Sequence, residues 1–136
     1  YLITNPNPFK NTKVDVMIQA NTGPEIITGS TRMKAGTATK LILNMISTTT
    51  MIKLGKVYGN LMIDLKTVNK KLIDRGTRII SEITGLEYDL AKERLLSAEN
   101  SVKSAIVMEK FECNLEEAKA MLKNVDGFLY RLVKNK

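Results

Sequence analysis

Histidine and tryptophan are absent from this sequence, and cysteine occurs once, at Cys113. Without histidine, acid–base catalysis by imidazole is excluded, and a zinc site is disfavoured because histidine and clustered cysteines are its usual ligands. A lone cysteine forms no disulfide framework and is typical of a reducing compartment. The sequence also lacks a recognisable signal peptide and any run of the roughly 18 apolar residues that a membrane helix needs. We therefore expect a cytoplasmic protein with no metal site and no membrane association.

Acidic residues are scarce in the first part of the chain. Residues 1–80 contain twelve cations and four anions, a net charge of +8, whereas residues 81–136 contain nine cations and ten anions, a net charge of −1. Such a basic region is compatible with nucleic acid, with a phosphorylated sugar or with an acidic partner. Aromatic side chains that could stack on bases are few there, namely Tyr1, Phe9 and Tyr58. We therefore predict that the protein does not bind nucleic acid.

The apolar pattern of the first half predicts a short strand and then a long helix. Apolar and other residues alternate between Val14 and Ala20, as in a strand with one buried face. The proline-containing residues 5–8 before it are predicted to form a loop. Apolar residues recur at helical spacing from about Arg32 to Leu54. Since this helix is apolar on more than one side, we expect it to be buried. Gly55 is expected to end it in a left-handed conformation.

The second half is predicted to be helical throughout. A helical pattern runs from Asn60 to Ile83, and we interpret its basic side as a solvated face. From Leu86 onward, apolar stripes predict three or four short helices, a core of marginal size for an independent domain. Asn114 and Glu117 have the spacing of a capping box, which predicts a helix start there.

The stretch from Gly23 to Lys40 is the densest run of polar, site-like residues in the chain. It precedes the long apolar helix, whose first N–H groups and dipole favour an anion. Ser30 or Thr31 could cap this helix, whereas Arg32 and Lys34 in the first turn call for a nearby negative charge. The residues alone leave two interpretations open, a phosphate-type anion site or ordinary capping with surface cations. Neither a Walker loop nor a dinucleotide fingerprint is present.

Much of the chain resembles one bacterial enzyme family. The run from Gly23 to Thr48 closely resembles a signature of the N-acetylmuramic acid 6-phosphate etherases, and residues Gly55 to Leu65 resemble the family's next block. The segment Asn5-Pro6-Asn7 and the tail from Thr84 to Lys136 are similar as well. A weaker similarity connects Glu25 to Arg32 with sugar isomerase domains in general. The vertebrate glucokinase regulatory protein is a relative of these etherases.

The resemblance implies a mostly α-helical chain with three parts. Residues 1–55 would be the C-terminal remnant of an α/β sugar isomerase (SIS) domain, residues 56–84 would be connecting helices, and residues 85–136 would be a three-helix module like ubiquitin-associated domains. We therefore expect the chain to be the C-terminal piece of a longer protein. A truncated sheet and the apolar helix would expose edges and apolar surface, so we also expect a homodimer.

The resemblance further implies a lyase that cleaves the lactyl ether of N-acetylmuramic acid 6-phosphate to N-acetylglucosamine 6-phosphate and D-lactate, without metal or redox cofactor. The family's two acid–base glutamates would precede this chain, so we assign no catalytic residue here. By the same resemblance the sugar phosphate would lie against six residues: Thr28, Gly29, Ser30, Thr31, Arg32 and Lys34.

Two other functions are compatible with the sequence. One is a regulatory module that binds a sugar phosphate without turnover, and the other is a helical dimerisation domain. Glu25 matches the glutamate of the family's Gly-Pro-Glu motif, which is not one of the acid–base pair. We interpret Glu25 as a carboxylate that orients the loop, or as a helix-start charge or a salt-bridge partner of Arg32 or Lys34.

Overall fold

The computed structural model describes residues 2–3 and 13–133, and the described part is mostly helical, as predicted. The chain divides into two compact units, residues 1–50 and residues 51–136. The loop predicted at residues 5–8 lies outside the described residues.

The first unit contains two very short strands and most of one long helix. Strand β1 (Leu2–Ile3) pairs in parallel with β2 (Ile18–Gln19), so the predicted strand at 14–20 is confirmed over two residues only. Helix α1 (Lys34–Lys53) begins two residues after the predicted start. The expectation that α1 is buried is wrong, since none of its residues is buried and Met45 is 60% exposed. The described strands, two residues each, are too narrow to cover a helix of 20 residues.

The second unit begins with the end of α1 and continues with a hairpin that was not predicted from the sequence. Gly55 is left-handed, with φ of 66°, as expected after a helix. Strands β3 (Val57–Tyr58) and β4 (Leu61–Met62) then pair antiparallel across a two-residue loop. Gly59, the first loop residue, has φ of 58°, which a turn of type II′ requires and glycine adopts readily.

The helix predicted from Asn60 to Ile83 is therefore wrong over its first part. Helix α2 (Lys70–Thr84) begins only after Asn69, whose side chain accepts a hydrogen bond from the Leu72 N–H. It ends at Gly85, which is in a left-handed conformation with φ of 84°. The hairpin and the Asn69 cap occupy the first ten residues of the expected helix, because glycine and asparagine favour turns and caps over helix interiors.

Helix α4 lies at the centre of the second unit. The remaining helices are α3 (Tyr88–Ser97), α4 (Val102–Phe111), α5 (Leu115–Asn124) and α6 (Leu129–Val133). Six of the ten residues of α4 are buried, and α4 contacts α2, α3, α5 and α6. The predicted capping box of Asn114 and Glu117 is present at the start of α5. The fully buried large side chains of this core include Ile80, Leu95, Ile106 and Leu129.

Gly76 explains how α2 approaches α4 so closely. A Cβ atom at this position would lie 3.0 Å from a methyl group of Val102 and 3.1 Å from the methyl group of Thr67. A glycine inside a helix costs roughly 1 kcal/mol relative to alanine. Because glycine has no side chain, the methyl groups of Val102 and Thr67 can pack against α2 at this position, which explains why a glycine lies inside the helix.

Candidate functional site

The candidate loop, residues 23–33, reaches α1 through a tight turn. The Ser30 N–H donates to the Ile27 carbonyl at 3.0 Å, and Gly29 has φ of 83°. This positive φ at the third turn position is the one that a type II turn reserves for glycine. A Cβ at Gly29 would meet no atom within 4 Å, so the backbone conformation rather than space requires glycine here.

Glu25 ties the beginning of this loop to the first turn of α1. One carboxylate oxygen accepts the Lys34 N–H at 2.9 Å and the other accepts the Ala35 N–H at 3.0 Å. The Lys34 ammonium donates to the Pro24 carbonyl at 2.9 Å. Three hydrogen bonds therefore join residues 24–25 to residues 34–35 and close the loop.

The helix-start charge is thus supplied by the protein itself. Of the interpretations left open for Glu25, these hydrogen bonds fit both the helix-start charge and the carboxylate that orients the loop. The described residues contain no Glu25 salt bridge to the side chain of Arg32 or Lys34, since the Lys34 ammonium contacts a carbonyl instead. Glu25, and not the side chain of Ser30 or Thr31, satisfies the first N–H groups of α1. The hydrogen bonds from the Ala35 and Lys34 N–H groups, with the Lys34 charge, lower the pKa of Glu25.

The structure places all six expected site residues on this loop and at the first residue of α1. Ser30 is half-buried and the other five are exposed. Within the described part of the chain, the hydroxyls of Thr28, Ser30 and Thr31 and the guanidinium of Arg32 have no hydrogen-bond partner. Unlike them, Lys34 is already engaged through its ammonium group. Three hydroxyls and one cation are therefore available to an anion from outside.

An open groove runs beside the helix end of the loop. It is lined by Thr22, Met33, Lys34, Thr37, Ala38 and Leu41. Lys34 is the one member of the six expected site residues that borders it. An uncharged part of a ligand could therefore lie along α1 while a charged part contacts the loop.

Three similar proteins carry the same name. N-acetylmuramic acid 6-phosphate etherase of Oceanobacillus iheyensis is 59% identical over 115 residues, which are 85% of this chain and 39% of the relative. The etherase of Clostridium acetobutylicum is 55% identical over 130 residues, which are 96% of this chain and 43% of the relative. That of Francisella tularensis subsp. holarctica is 55% identical over 112 residues. No protein-family model matches the chain.

This chain is homologous to the C-terminal part of N-acetylmuramic acid 6-phosphate etherases. It spans about 40% of the length of the curated relatives that it matches. The resemblance stated from the signature at residues 23–48 is thereby confirmed.

Outside the loop, the described residues contain few groups that could bind a metal ion or act as a nucleophile. Among the described residues, no cluster of three or more acidic, cysteine or histidine side chains could hold a metal ion. No helix in that part of the chain is long and apolar enough to cross a bilayer. Burial, together with the charge of Glu117, raises the pKa of the half-buried Cys113 thiol, which lies 3.8 Å from the Val107 carbonyl. Cys113 is therefore a protonated, packed thiol at neutral pH rather than an activated nucleophile.

The two hydrogen bonds of Glu25 to the start of α1 were not predicted from the sequence. Helix-start carboxylates are expected within the first turn, whereas Glu25 precedes Lys34 by nine residues and reaches it only because the loop folds back. The usable signal was the pair Gly23-Pro24 before it and Gly29 after it, since both mark a reversal of the chain.

Proposed function

We propose that this chain is the C-terminal part of an N-acetylmuramic acid 6-phosphate etherase. The longer protein would be a cytoplasmic carbon–oxygen lyase that cleaves the lactyl ether to give N-acetylglucosamine 6-phosphate and D-lactate. The observation that carries this proposal is the 55% identity to an etherase over 96% of the chain. At such identity over so long a segment, fold and function are usually shared, although the catalytic glutamates would lie in the longer protein.

We propose that the role of this part is to bind the sugar phosphate through the loop Thr28–Lys34. The unpartnered hydroxyls and the Arg32 guanidinium support this role, because phosphate oxygens accept hydrogen bonds from both. A hydrogen bond to a charged group contributes about 1.5–3 kcal/mol. Sugar isomerase and ubiquitin-associated folds for the two parts of the chain belong to the same proposal.

Lactate release separates this proposal from its main rival. If the protein is an etherase, the longer protein should release D-lactate from N-acetylmuramic acid 6-phosphate, and this chain alone should release none. A regulatory module that only binds the sugar phosphate would bind it in calorimetry and release no lactate in either form. Turnover by the chain alone would place catalysis within these 136 residues and contradict the assignment.

We further propose that the chain forms a homodimer, with α1 in the interface. The support is the exposure of large apolar side chains on α1, of which Leu41 is 55% and Leu43 54% exposed. A second copy presents the same helix, so a two-fold contact could cover both at once. Sedimentation at tens of micromolar should give a dimer, and Leu43→Glu should shift it to monomer. A monomeric unmodified chain would contradict this proposal.

A further inference from the structure

The first turn of α1 has no N–H group left for a ligand. Four orphan N–H donors at a helix start are the usual reason why anions bind there. In this chain every one of them already has an acceptor within 3.3 Å. In chain order, Met33 donates to the Ser30 carbonyl, Lys34 and Ala35 donate to Glu25, and Gly36 donates to the Thr31 carbonyl.

Glu25 also places a negative charge where a bound phosphate would otherwise lie. A second anion at the same N–H groups would be repelled by this carboxylate and would have to displace both of its hydrogen bonds. The helix start is therefore closed to the ligand for two reasons, one geometric and one electrostatic.

The unused donors lie on the part of the loop that Glu25 holds in place. The backbone N–H groups of Thr28, Gly29 and Arg32 have no acceptor among the described residues, and neither do the hydroxyls of Ser30 and Thr31. The loop is closed at its base by Glu25 and by the contact between Lys34 and Pro24. Releasing that base would free the intervening residues to move apart.

We propose that Glu25 is a positioning residue, which occupies the start of α1 itself and thereby directs the phosphate of the substrate to the donors of residues 28–32. This inference rests on the proposed function, since it takes a sugar phosphate as the ligand. It differs from the expectation that the phosphate binds at the helix start, where Glu25 would be a competitor.

Phosphate binding at residues 28–32 and phosphate binding at the helix start predict opposite changes in ligand affinity for one substitution of Glu25. Glu25→Gln keeps the size of the side chain, removes its charge and turns one acceptor oxygen into an NH₂ group. If Glu25 positions the loop, affinity for N-acetylglucosamine 6-phosphate should fall roughly tenfold or more, because small misplacements of binding groups are costly. If Glu25 competes with phosphate, affinity should rise.

The measurement is calorimetric titration of the longer protein with N-acetylglucosamine 6-phosphate and with unphosphorylated N-acetylglucosamine. The loss in Glu25→Gln should be confined to the phosphorylated sugar, which a general loss of structure would not produce. Glu25→Asp, which retains the charge on a shorter side chain, should recover part of the affinity. Asp15→Asn is the matched control, since it removes an exposed carboxylate from the same unit and should leave both affinities unchanged.

If the unmodified protein binds the phosphorylated sugar and Glu25→Gln binds it equally well or more tightly, this inference alone is overturned. Equal losses for both sugars would also overturn it. An unmodified protein that binds no phosphorylated sugar would overturn the proposed function, and this inference with it.

Discussion

The two units of this chain differ in how they treat their apolar residues. In the second unit, Leu95, Ile106 and Leu129 are completely buried among five helices. In the first unit, α1 exposes side chains of the same kind, and all buried core residues of the described chain lie between Ile63 and Leu129. The second unit therefore has its own core, whereas the first unit contains a loop and an apolar helix with no buried residue.

This difference bears on which unit stabilises the fold and which unit is proposed to bind the ligand. A unit with a closed core can be stable by itself, while a loop that binds a ligand needs only local hydrogen bonds to hold its shape. The bonds of Glu25 and Lys34 supply this local order in the first unit. The buried core of the described chain therefore lies in residues 51–136, whereas the ligand contacts that we propose lie in residues 23–34.

The largest expected effect comes from one substitution made in both units. Leu95→Ala removes a fully buried side chain from α3 and should lower the free energy of unfolding by about 2–5 kcal/mol. Leu43→Ala makes the same change at a 54% exposed position of α1 and, at protein concentrations too low for the proposed dimer to form, should cost less than about 0.5 kcal/mol. Urea denaturation followed by circular dichroism measures both. Similar losses at the two positions would contradict the division into a core-bearing and a core-free unit.

A smaller effect is expected from the two ion pairs of Asp64, one with Lys56 across the base of the hairpin and one with Lys103 of α4. Asp64 lies 2.9 Å from the Lys56 ammonium and 3.8 Å from that of Lys103. Partial burial raises the pKa of Asp64, but the hydrogen bond from Lys56 and the charges of Lys103 and Lys56 outweigh it, so the pKa lies below its ordinary 3.8. The stabilisation is therefore complete above about pH 3.8 and is lost as the pH falls through the lower pKa of the folded state.

Asp64→Asn tests this contribution. Because the Asp64 side chain is 38% exposed and solvent screens the charges, the substitution should cost less than about 1 kcal/mol at pH 7. The difference from the unmodified chain should shrink as the pH falls below 3.8 and also in high salt. Urea denaturation over this pH range measures it, and a loss that does not shrink with falling pH would assign the effect to packing instead of charge.

Local sequence signals predicted some features of this fold well and others not at all. The capping box at Asn114 and the left-handed glycine after α1 were predicted correctly because a few adjacent residues determine them. The β3–β4 hairpin was missed because its apolar residues, Leu61 among them, also fit a helical spacing. The turn pair Gly59-Asn60 was the signal that should have decided between the two.

For the candidate site, the sequence predicted which residues belong to the loop but not how the loop is held. Residues 28–34 do lie together at the start of α1, yet the contacts of Glu25 join residues nine and ten positions apart. Such contacts depend on the path of the intervening chain, which spacing does not determine. The exposure of α1 was equally hidden, since an apolar helix has the same sequence pattern whether or not another surface covers it.

The central claim, that the loop of the first unit binds the sugar phosphate, is tested most directly at Arg32. Its guanidinium is exposed and unpartnered in the described chain, so Arg32→Ala should remove a ligand contact and leave the core of the second unit unchanged. Calorimetric titration of the longer protein with N-acetylglucosamine 6-phosphate, the proposed product, should give an affinity roughly ten- to a hundredfold lower for Arg32→Ala, at an unaltered unfolding transition. Unchanged affinity in this variant would contradict the assignment of the loop to the phosphate.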